Sequence, residues 1–270
     1  MDELQLDFSR PKFDLVISPP VMNAAGTLGY APQSSDLVNF EQLGAFVTNP
    51  VSLHPRTPAR ARISHPFLGG FLLHSGYPNP GLKTVIKQYA TRWAHSLLPV
   101  IVHLLVHQAD DVQVMISQLE DREGLTGIEL GIPPDCEASQ AVEMVQAAVG
   151  ELPLIVRVPM ERAAEFAGVL AASPLAAISL AAPRGAVLNQ QGQAVRGRLF
   201  GPAVFPFALA AAGDVIDMGV PLFASGGIYQ RQQVDALLEM GAMGVQLDAV
   251  LWGLGKMEGW EWRKEISVQE

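Results

Sequence analysis

Eight short apolar runs alternate along the chain with longer segments of helical spacing, and this alternation limits the fold more than any other feature. Within the longer segments apolar residues recur at steps of three and four, as at Val112, Met115, Ile116 and Leu119. Near-continuous apolar strands joined through helices are typical of a parallel sheet covered by helices. Eight such units predict an α/β fold, a (β/α)8 TIM barrel. The predicted strands are residues 21–26, 45–53, 99–106, 127–132, 153–158, 176–182, 221–227 and 244–250.

Two stretches exceed a minimal barrel unit, residues 54–80 after the second strand and residues 183–205 after the sixth. The later one is predicted to form a hairpin that turns at Gln191 and Gly192. Both insertions follow strands, so we expect them on the face of the barrel where ligands bind. No repeat or linker interrupts the alternation, and residues 1–270 are predicted to form one domain.

The overall charge restricts the partners. The chain of 270 residues carries a net charge of −9, which argues against nucleic acid and anionic membranes. Its 49% of hydrophobic residues supports a large core, yet no run reaches the roughly 18 apolar residues of a membrane span. A single cysteine excludes an internal disulfide framework. We therefore expect a cytoplasmic protein that acts on a small molecule.

Small side chains end the first predicted strand, where Ala24, Ala25 and Gly26 follow two apolar residues. Such residues let another strand, a helix or a flat ligand approach the backbone closely. Tight turns between strands and helices in any barrel also require them. The residues alone leave these alternatives open.

A series of motifs follows the predicted strands in order, namely VMNAAGTLGY (21–30), LGAFVTNPVSLHPR (43–56), SGYPNPG (75–81), GIELGI (127–132), GRLFGPAVFPFAL (197–209), PLFASGGI (221–228) and GAMGVQLDA (241–249). In this order and at this spacing they resemble the dihydroorotate dehydrogenase family of flavin mononucleotide (FMN) barrels. The resemblance runs from about Phe13 to Trp252.

The resemblance implies an FMN site. In the family the small residues of the first strand face the flavin ring, which here implies Ala24, Ala25 and Gly26. The family's phosphate site matches Gly226 and Gly227, and Gly201 matches another glycine near the flavin. Arg157 stands where the family has a lysine near the flavin, and Asn49 stands where it has a lysine that holds the pyrimidine; both are candidates for the cofactor site. Arg157 keeps the positive charge, although an ion pair at the edge of the core is an equal alternative.

Other positions depart from the family. Apolar or small residues stand where the family binds its carboxylated pyrimidine through asparagines, at Leu73, at Gly131 and near Leu180. Dihydroorotate is therefore not expected to be the substrate, because a site built for polar edges loses affinity with its partners.

The flavin side departs as well. Asp248 stands where the family has a glycine beside the phosphate, and it is expected either to repel a phosphate or to cap a helix. His103, Leu104, Val106, Phe200 and Phe205 are expected to crowd the flavin pocket.

Cys136 is the one candidate catalytic residue, since some family members use a cysteine of the matching loop as the base. A helix start there would lower the pKa of its thiol, whereas the alternative is a small buried apolar side chain. No metal site is predicted, because His74, His103 and His107 lack the spacing of zinc ligands.

Two functions follow, a flavin oxidoreductase with a changed substrate and a non-catalytic barrel that serves as a structural or regulatory partner. Trp252, Trp260 and Trp262 are candidates for such a protein contact, or for packing of the last helix. The resemblance also implies a homodimer. An aldolase or isomerase is set aside, because the carboxylate of Glu129 lies inside a strand rather than at its end.

Overall fold

The computed structural model describes residues 15–33, 38–58 and 63–253, and its elements follow the predicted alternation. The strands are β1 (Val21–Asn23), β2 (Phe46–Val47), β3 (Ile63–Phe67), β4 (Gly70–His74), β5 (Val100–Leu105), β6 (Leu125–Gly131), β7 (Leu154–Pro159), β8 (Ala177–Ala181), β9 (Arg184–Leu188), β10 (Ala194–Phe200), β11 (Leu222–Ser225) and β12 (Gly244–Leu247). The α helices are α1 (Leu82–Ala94), α2 (Ala109–Leu119), α3 (Ala138–Ala147), α4 (Ala163–Leu170), α5 (Phe205–Asp217) and α6 (Arg231–Glu239).

Eight parallel strands form the barrel, in the order β1, β2, β5, β6, β7, β8, β11 and β12. A bridge between Met22 and Ala45 joins β1 to β2. The Asn23 side chain reinforces this junction, because its amide donates to the Val47 carbonyl at 2.6 Å and accepts from the Val47 N–H at 2.9 Å. The predicted (β/α)8 barrel is confirmed, with a strand in each of the eight predicted segments.

Side chains of the barrel strands alternate between two environments. Those pointing outward, such as Ile128 and Leu130, join the large apolar cluster shared with the helices. Those pointing inward near the amino ends of the strands form a second apolar cluster. Towards the carboxyl ends the interior becomes polar, and fully buried groups there must bind one another. The inner apolar cluster includes Met22, Val47, Ile101, Ile155, Ala177 and Phe223.

The two insertions pair with each other in a four-stranded antiparallel sheet of order β3, β4, β10 and β9. The predicted hairpin is confirmed, since β9 and β10 are joined by a turn in which Gly192 has a φ of 73°. Leu73 of β4 pairs with Arg198 of β10, which joins the two insertions. We call this sheet, β3, β4, β9 and β10, the insertion sheet. It carries residues from both insertions to the carboxyl ends of the barrel strands.

Between β1 and β2 the described residues hold a short 3-10 helix, Phe40–Gln42, capped by Asn39. Trp260 and Trp262 lie outside the described residues. Within the described residues, no helix combines the length and the apolar character needed to cross a membrane.

Candidate ligand-binding site

A buried carboxylate, Glu129 of β6, is the centre of the polar layer inside the barrel. Its Oε2 is 2.6 Å from His103 Nδ1 on β5 and 3.6 Å from Arg157 Nη1 on β7. Its Oε1 accepts hydrogen bonds from Ser179 Oγ on β8 at 2.7 Å and from Gln246 Nε2 on β12 at 2.5 Å. Side chains from β5, β7, β8 and β12 therefore converge on the carboxylate that β6 carries.

The electrostatics of this cluster assign the proton positions. Burial alone would raise the pKa of Glu129, but the His103 hydrogen bond, the Arg157 guanidinium and the Ser179 hydroxyl lower it to about 2. Burial lowers the pKa of His103. The hydrogen bond and the charge of Glu129 raise it, Arg157 and Arg198 lower it, and the net shift of the pKa is downward. The imidazole is therefore neutral at pH 7. Because an ionised carboxylate only accepts, the proton lies on Nδ1 and Nε2 keeps its lone pair.

Above this layer lie two adjoining cavities between the barrel mouth and the insertion sheet. The larger has a volume of about 490 Å³, and His103, Gly131 and Cys136 are among its lining residues. The smaller has a volume of about 190 Å³ and is lined by residues that include Ala24, Gly26 and Asn49. The two cavities share several lining residues, which come from both the barrel and the insertions. The shared residues are Ala25, Pro50, Leu73, Ser75, Tyr77, Arg157 and Arg198.

Among the described residues, four arginines line the walls of the cavities, in a protein with a net charge of −9. Arg56 and Arg184 are exposed, and Arg184 lies 3.5 Å from the exposed carboxylate of Asp135. Arg198 donates to the Ala182 carbonyl and lies over the Tyr77 ring. Arg157 differs from these, being only 9% exposed. Both cavities reach it, and its guanidinium, which lies 3.6 Å from Glu129 Oε2, keeps N–H donors that an anion in the cavity could use.

Five of the predicted cofactor-binding residues come together. Ala24, Ala25, Gly26, Asn49 and Arg157 all line the smaller cavity. Asn49 also fixes the loop that follows β1, because its Oδ1 accepts from the Gly29 N–H at 3.2 Å. The structure thus places these residues around one space, while their binding of a cofactor stays a prediction.

The other three predicted residues lie elsewhere. Gly201, Gly226 and Gly227 are absent from the linings of both cavities. Gly201 has a φ of 115° and packs against Gly69 and Gly70. Gly227 packs against the start of α5, so that a Cβ there would lie 2.5 Å from the Phe205 nitrogen.

Asp248 occupies the backbone donors that a phosphate would need. Its Oδ2 accepts from the Gly227 N–H at 3.3 Å and its Oδ1 from the Ala249 N–H at 2.5 Å, and the residue is 3% exposed. The same bond caps the 3-10 helix Ala249–Trp252, which confirms the expected capping role. Burial raises the pKa of Asp248. An FMN phosphate does not fit here, since its donors already have an acceptor and its place holds a side chain.

Aromatic side chains occupy the space beside Asp248. Phe71 of β4 stacks on Phe200 of β10 with ring centres 5.5 Å apart, and Trp252 lies about equally close to each. Phe200 lines the smaller cavity as expected. Two expectations of crowding are wrong, because Leu104 lies in the outer core and Phe205 packs against the same cluster.

Cys136 lines the larger cavity, but its environment does not activate it. Burial raises the pKa of the thiol, contrary to the lowered pKa expected from a helix start. The sulfur donates to the Glu137 carbonyl at 3.2 Å, and α3 is capped by Glu137 and Gln140 instead. The thiol is therefore protonated at neutral pH.

The three singled-out histidines all line the larger cavity, yet no metal-binding group forms. His74 and His107 lie at its wall with His103 at its base. In the described ranges there is no group of three or more His, Cys, Asp or Glu side chains that could hold a metal ion. Leu180 faces the outer core, so the apolar replacement that reaches the cavity is Ala181.

The sequence analysis missed the central role of Glu129 and the arginines of the insertion sheet. The alternation in GIELG could have placed Glu129 and Gly131 on one inward face of β6. Nothing local indicates that Arg198 reaches the barrel mouth, because this depends on pairing between the two insertions.

Fold and site define a TIM barrel with a ligand cavity at the carboxyl ends of its strands, the usual location in this fold. The family profile of Dihydroorotate dehydrogenase matches residues 12–266. The catalytic subunit of dihydroorotate dehydrogenase B (NAD(+)) from Pelobacter propionicus is 30% identical over 263 residues, covering 86% of this chain and 84% of that protein. Dihydroorotate dehydrogenase A (fumarate) from Limosilactobacillus reuteri is 26% identical over 266 residues, covering 87% and 84%.

The chain belongs to the dihydroorotate dehydrogenase family, a family of flavin oxidoreductase barrels.

Proposed function

We propose that this family member binds a small organic anion in its cavity and does not oxidise dihydroorotate with bound FMN. The observation that carries the proposal is the guanidinium of Arg157. It is nine-tenths buried, lines both cavities and forms no hydrogen bond with any described residue. Its ion-pair partner within the described part of the chain, Glu129, is 3.6 Å away and already has a closer contact with His103. A bidentate anion would supply the missing acceptors.

The loss of the family reaction is supported by what replaces its groups. Leu73, Gly131 and Ala181 offer no side-chain hydrogen bond at the cavity, and the protonated Cys136 thiol is a poor base. Asp248 occupies the donors of the phosphate position. We therefore expect no orotate to form when the purified protein is mixed with dihydroorotate, FMN and a redox dye. Turnover above the flavin-only blank would contradict this.

Anion binding is tested with benzoate, a carboxylate with no other polar group. Two-dimensional NMR titration of the wild-type protein should show saturable shifts in residues of β6 to β8. Arg157→Gln should weaken binding about tenfold or more, because a charge-assisted bidentate contact is lost. Arg122→Gln is the matched control and should change affinity less than about twofold, since this side chain is exposed and lines neither cavity. Absence of saturable binding to the wild type would overturn the proposal.

A second candidate function is flavin chemistry on another substrate. It is favoured by the five predicted residues around the smaller cavity, which leave a wall of small side chains beside Arg157. An absorption spectrum after FMN loading separates the two functions.

A protein partner remains a prediction, as does self-association. One relative is described as a catalytic subunit, which makes an assembly a reasonable expectation here. Trp252 is not free for such a contact, because it packs on Phe71 and Phe200 and donates to the Thr27 carbonyl at 2.9 Å. Light scattering of the purified protein measures the oligomeric state.

A further inference from the structure

The base of the larger cavity presents an unused hydrogen-bond acceptor, Nε2 of His103. The ring lines the cavity, and this nitrogen has no hydrogen-bond partner among the described residues. Its other nitrogen, Nδ1, is held by Glu129 at 2.6 Å. An imidazole that is 95% buried and has one free nitrogen next to a cavity is suited to bind a ligand group.

The ring of His103 is held directly by Glu129 and indirectly by the partners of that carboxylate. The carboxylate of Glu129 holds Nδ1, and Ser179 and Gln246 hold the carboxylate in turn. The backbone N–H of His103 donates to Thr48 Oγ1 at 3.0 Å. Because a carboxylate-held imidazole keeps one tautomer, Nε2 presents a lone pair rather than a proton.

Gly131 provides the space that the ring occupies. A Cβ at this position would lie 2.8 Å from His103 Nε2 and 3.0 Å from Cε1, closer than side-chain contacts allow. Because Gly131 has no side chain, the imidazole of His103 can occupy the space next to the end of β6.

Arg157 and His103 lie on either side of the same oxygen. Both contact Glu129 Oε2, at 3.6 Å and 2.6 Å, from the strands that flank β6. Both residues also line the larger cavity, so a single ligand there can contact the Arg157 guanidinium and His103 Nε2 together. A ligand N–H or O–H near Nε2 forms a hydrogen bond with its lone pair, whereas a ligand acceptor in the same place is repelled by it.

We propose that His103 determines ligand specificity in this cavity, accepting an N–H or O–H group of a small carboxylate that is bound by Arg157. Glu129 is the positioning residue that keeps the acceptor tautomer. This inference rests on the proposed anion-binding function and adds to it the class of ligand, a carboxylate with a donor on an adjacent atom.

The test compares two probes of nearly equal shape, pyrrole-2-carboxylate and furan-2-carboxylate. The first has a ring N–H beside its carboxylate, and the second has a ring oxygen that only accepts. In NMR titrations the wild-type protein should bind the pyrrole acid about tenfold more tightly, the effect of one well-placed hydrogen bond. Equal affinity, or preference for the furan acid, would overturn the role of His103.

Variants separate the two proposals. In His103→Asn the side-chain nitrogen can still donate to Glu129, but no atom remains at the Nε2 position, so the preference should disappear while benzoate binding persists. Arg157→Gln should weaken both probes alike. If the wild type binds neither benzoate nor the probes, the anion-binding function itself fails. If it binds benzoate without discriminating the probes, only the inference about His103 fails.

A spectroscopic measurement does not depend on the variants. The ¹⁵N chemical shifts of the wild-type His103 ring should show a proton on Nδ1 and none on Nε2 at pH 7, with Nε2 shifting when pyrrole-2-carboxylate binds. A ring protonated on Nε2 would contradict the proposal.

Discussion

At the scale of single residues, a few replacements at the strand ends support the proposed change of ligand. Asp248 provides an internal carboxylate where an external phosphate would bind, because it accepts from Gly227 and Ala249. Gly131 and His103 are complementary, since the missing side chain of one leaves room for the ring of the other. Such changes affect what binds and leave the barrel core intact.

Removing the Asp248 carboxylate should restore an anion site at the backbone donors. We expect inorganic phosphate, at ten times its Kd, to increase the free energy of unfolding of Asp248→Gly by about 1.4 kcal/mol and so to raise its melting temperature. That corresponds to about 2–4 °C for a chain of this size. Differential scanning calorimetry measures the shift. The matched control is Asp248→Asn, whose amide oxygen still accepts from the backbone, and it should show none. Equal responses in the two variants would contradict this account.

The pH dependence of stability should report on His103. Its folded pKa is lowered, so the unfolded chain binds a proton that the native protein rejects as pH falls below about 6.5. The contribution of this group to stability is therefore complete at pH 7 and decreases towards pH 5, with a slope approaching about 1.4 kcal/mol per pH unit.

Urea denaturation between pH 5 and 7 measures this slope. Comparison with His103→Asn removes the contributions of other groups, including the opposing one from Asp248, whose pKa is raised. His54→Asn, at an exposed histidine, is the control and should keep the wild-type slope. A slope unchanged in His103→Asn would show that the buried ring does not titrate as described.

At the scale of elements, the insertion sheet and the barrel are joined by aromatic packing. Phe71 and Phe200 come from the two insertions, and Trp252 comes from the segment that follows β12. The hairpin of residues 183–205 was predictable from its local turn. Its pairing with β4 was not, because strand pairing across more than a hundred residues leaves no local pattern. The arginines of the insertion sheet were missed for the same reason.

Loss of the Trp252 ring should therefore destabilise the fold. Trp252→Ala removes contacts with two rings and the hydrogen bond to Thr27. For this half-buried side chain we expect a loss of about 1–3 kcal/mol in the free energy of unfolding, measured by urea denaturation. Phe207→Ala on α5, where the ring is 67% exposed, should change it by less than about 0.5 kcal/mol. Similar losses in both variants would argue against the aromatic contact.

At the scale of the whole molecule, the barrel separates stability from binding along its axis. The apolar cluster that includes Met22, Ile101 and Phe223 fills its interior towards one end, and the cluster around Glu129 fills it towards the other. The alternating pattern of the sequence was sufficient to predict the eight strands. It was not sufficient to predict the polar layer, because His103, Glu129, Arg157, Ser179 and Gln246 come from five strands and only closure of the barrel brings them together.

The central claim is that the barrel of a flavin enzyme family persists here with its ligand end changed from FMN to a small anion. The most direct measurement is the visible absorption spectrum of the purified wild-type protein after incubation with excess FMN and desalting. We predict a colourless protein, because Asp248 already occupies the backbone donors of the phosphate position. A flavin band that stays with the protein would contradict the account and favour flavin chemistry on another substrate.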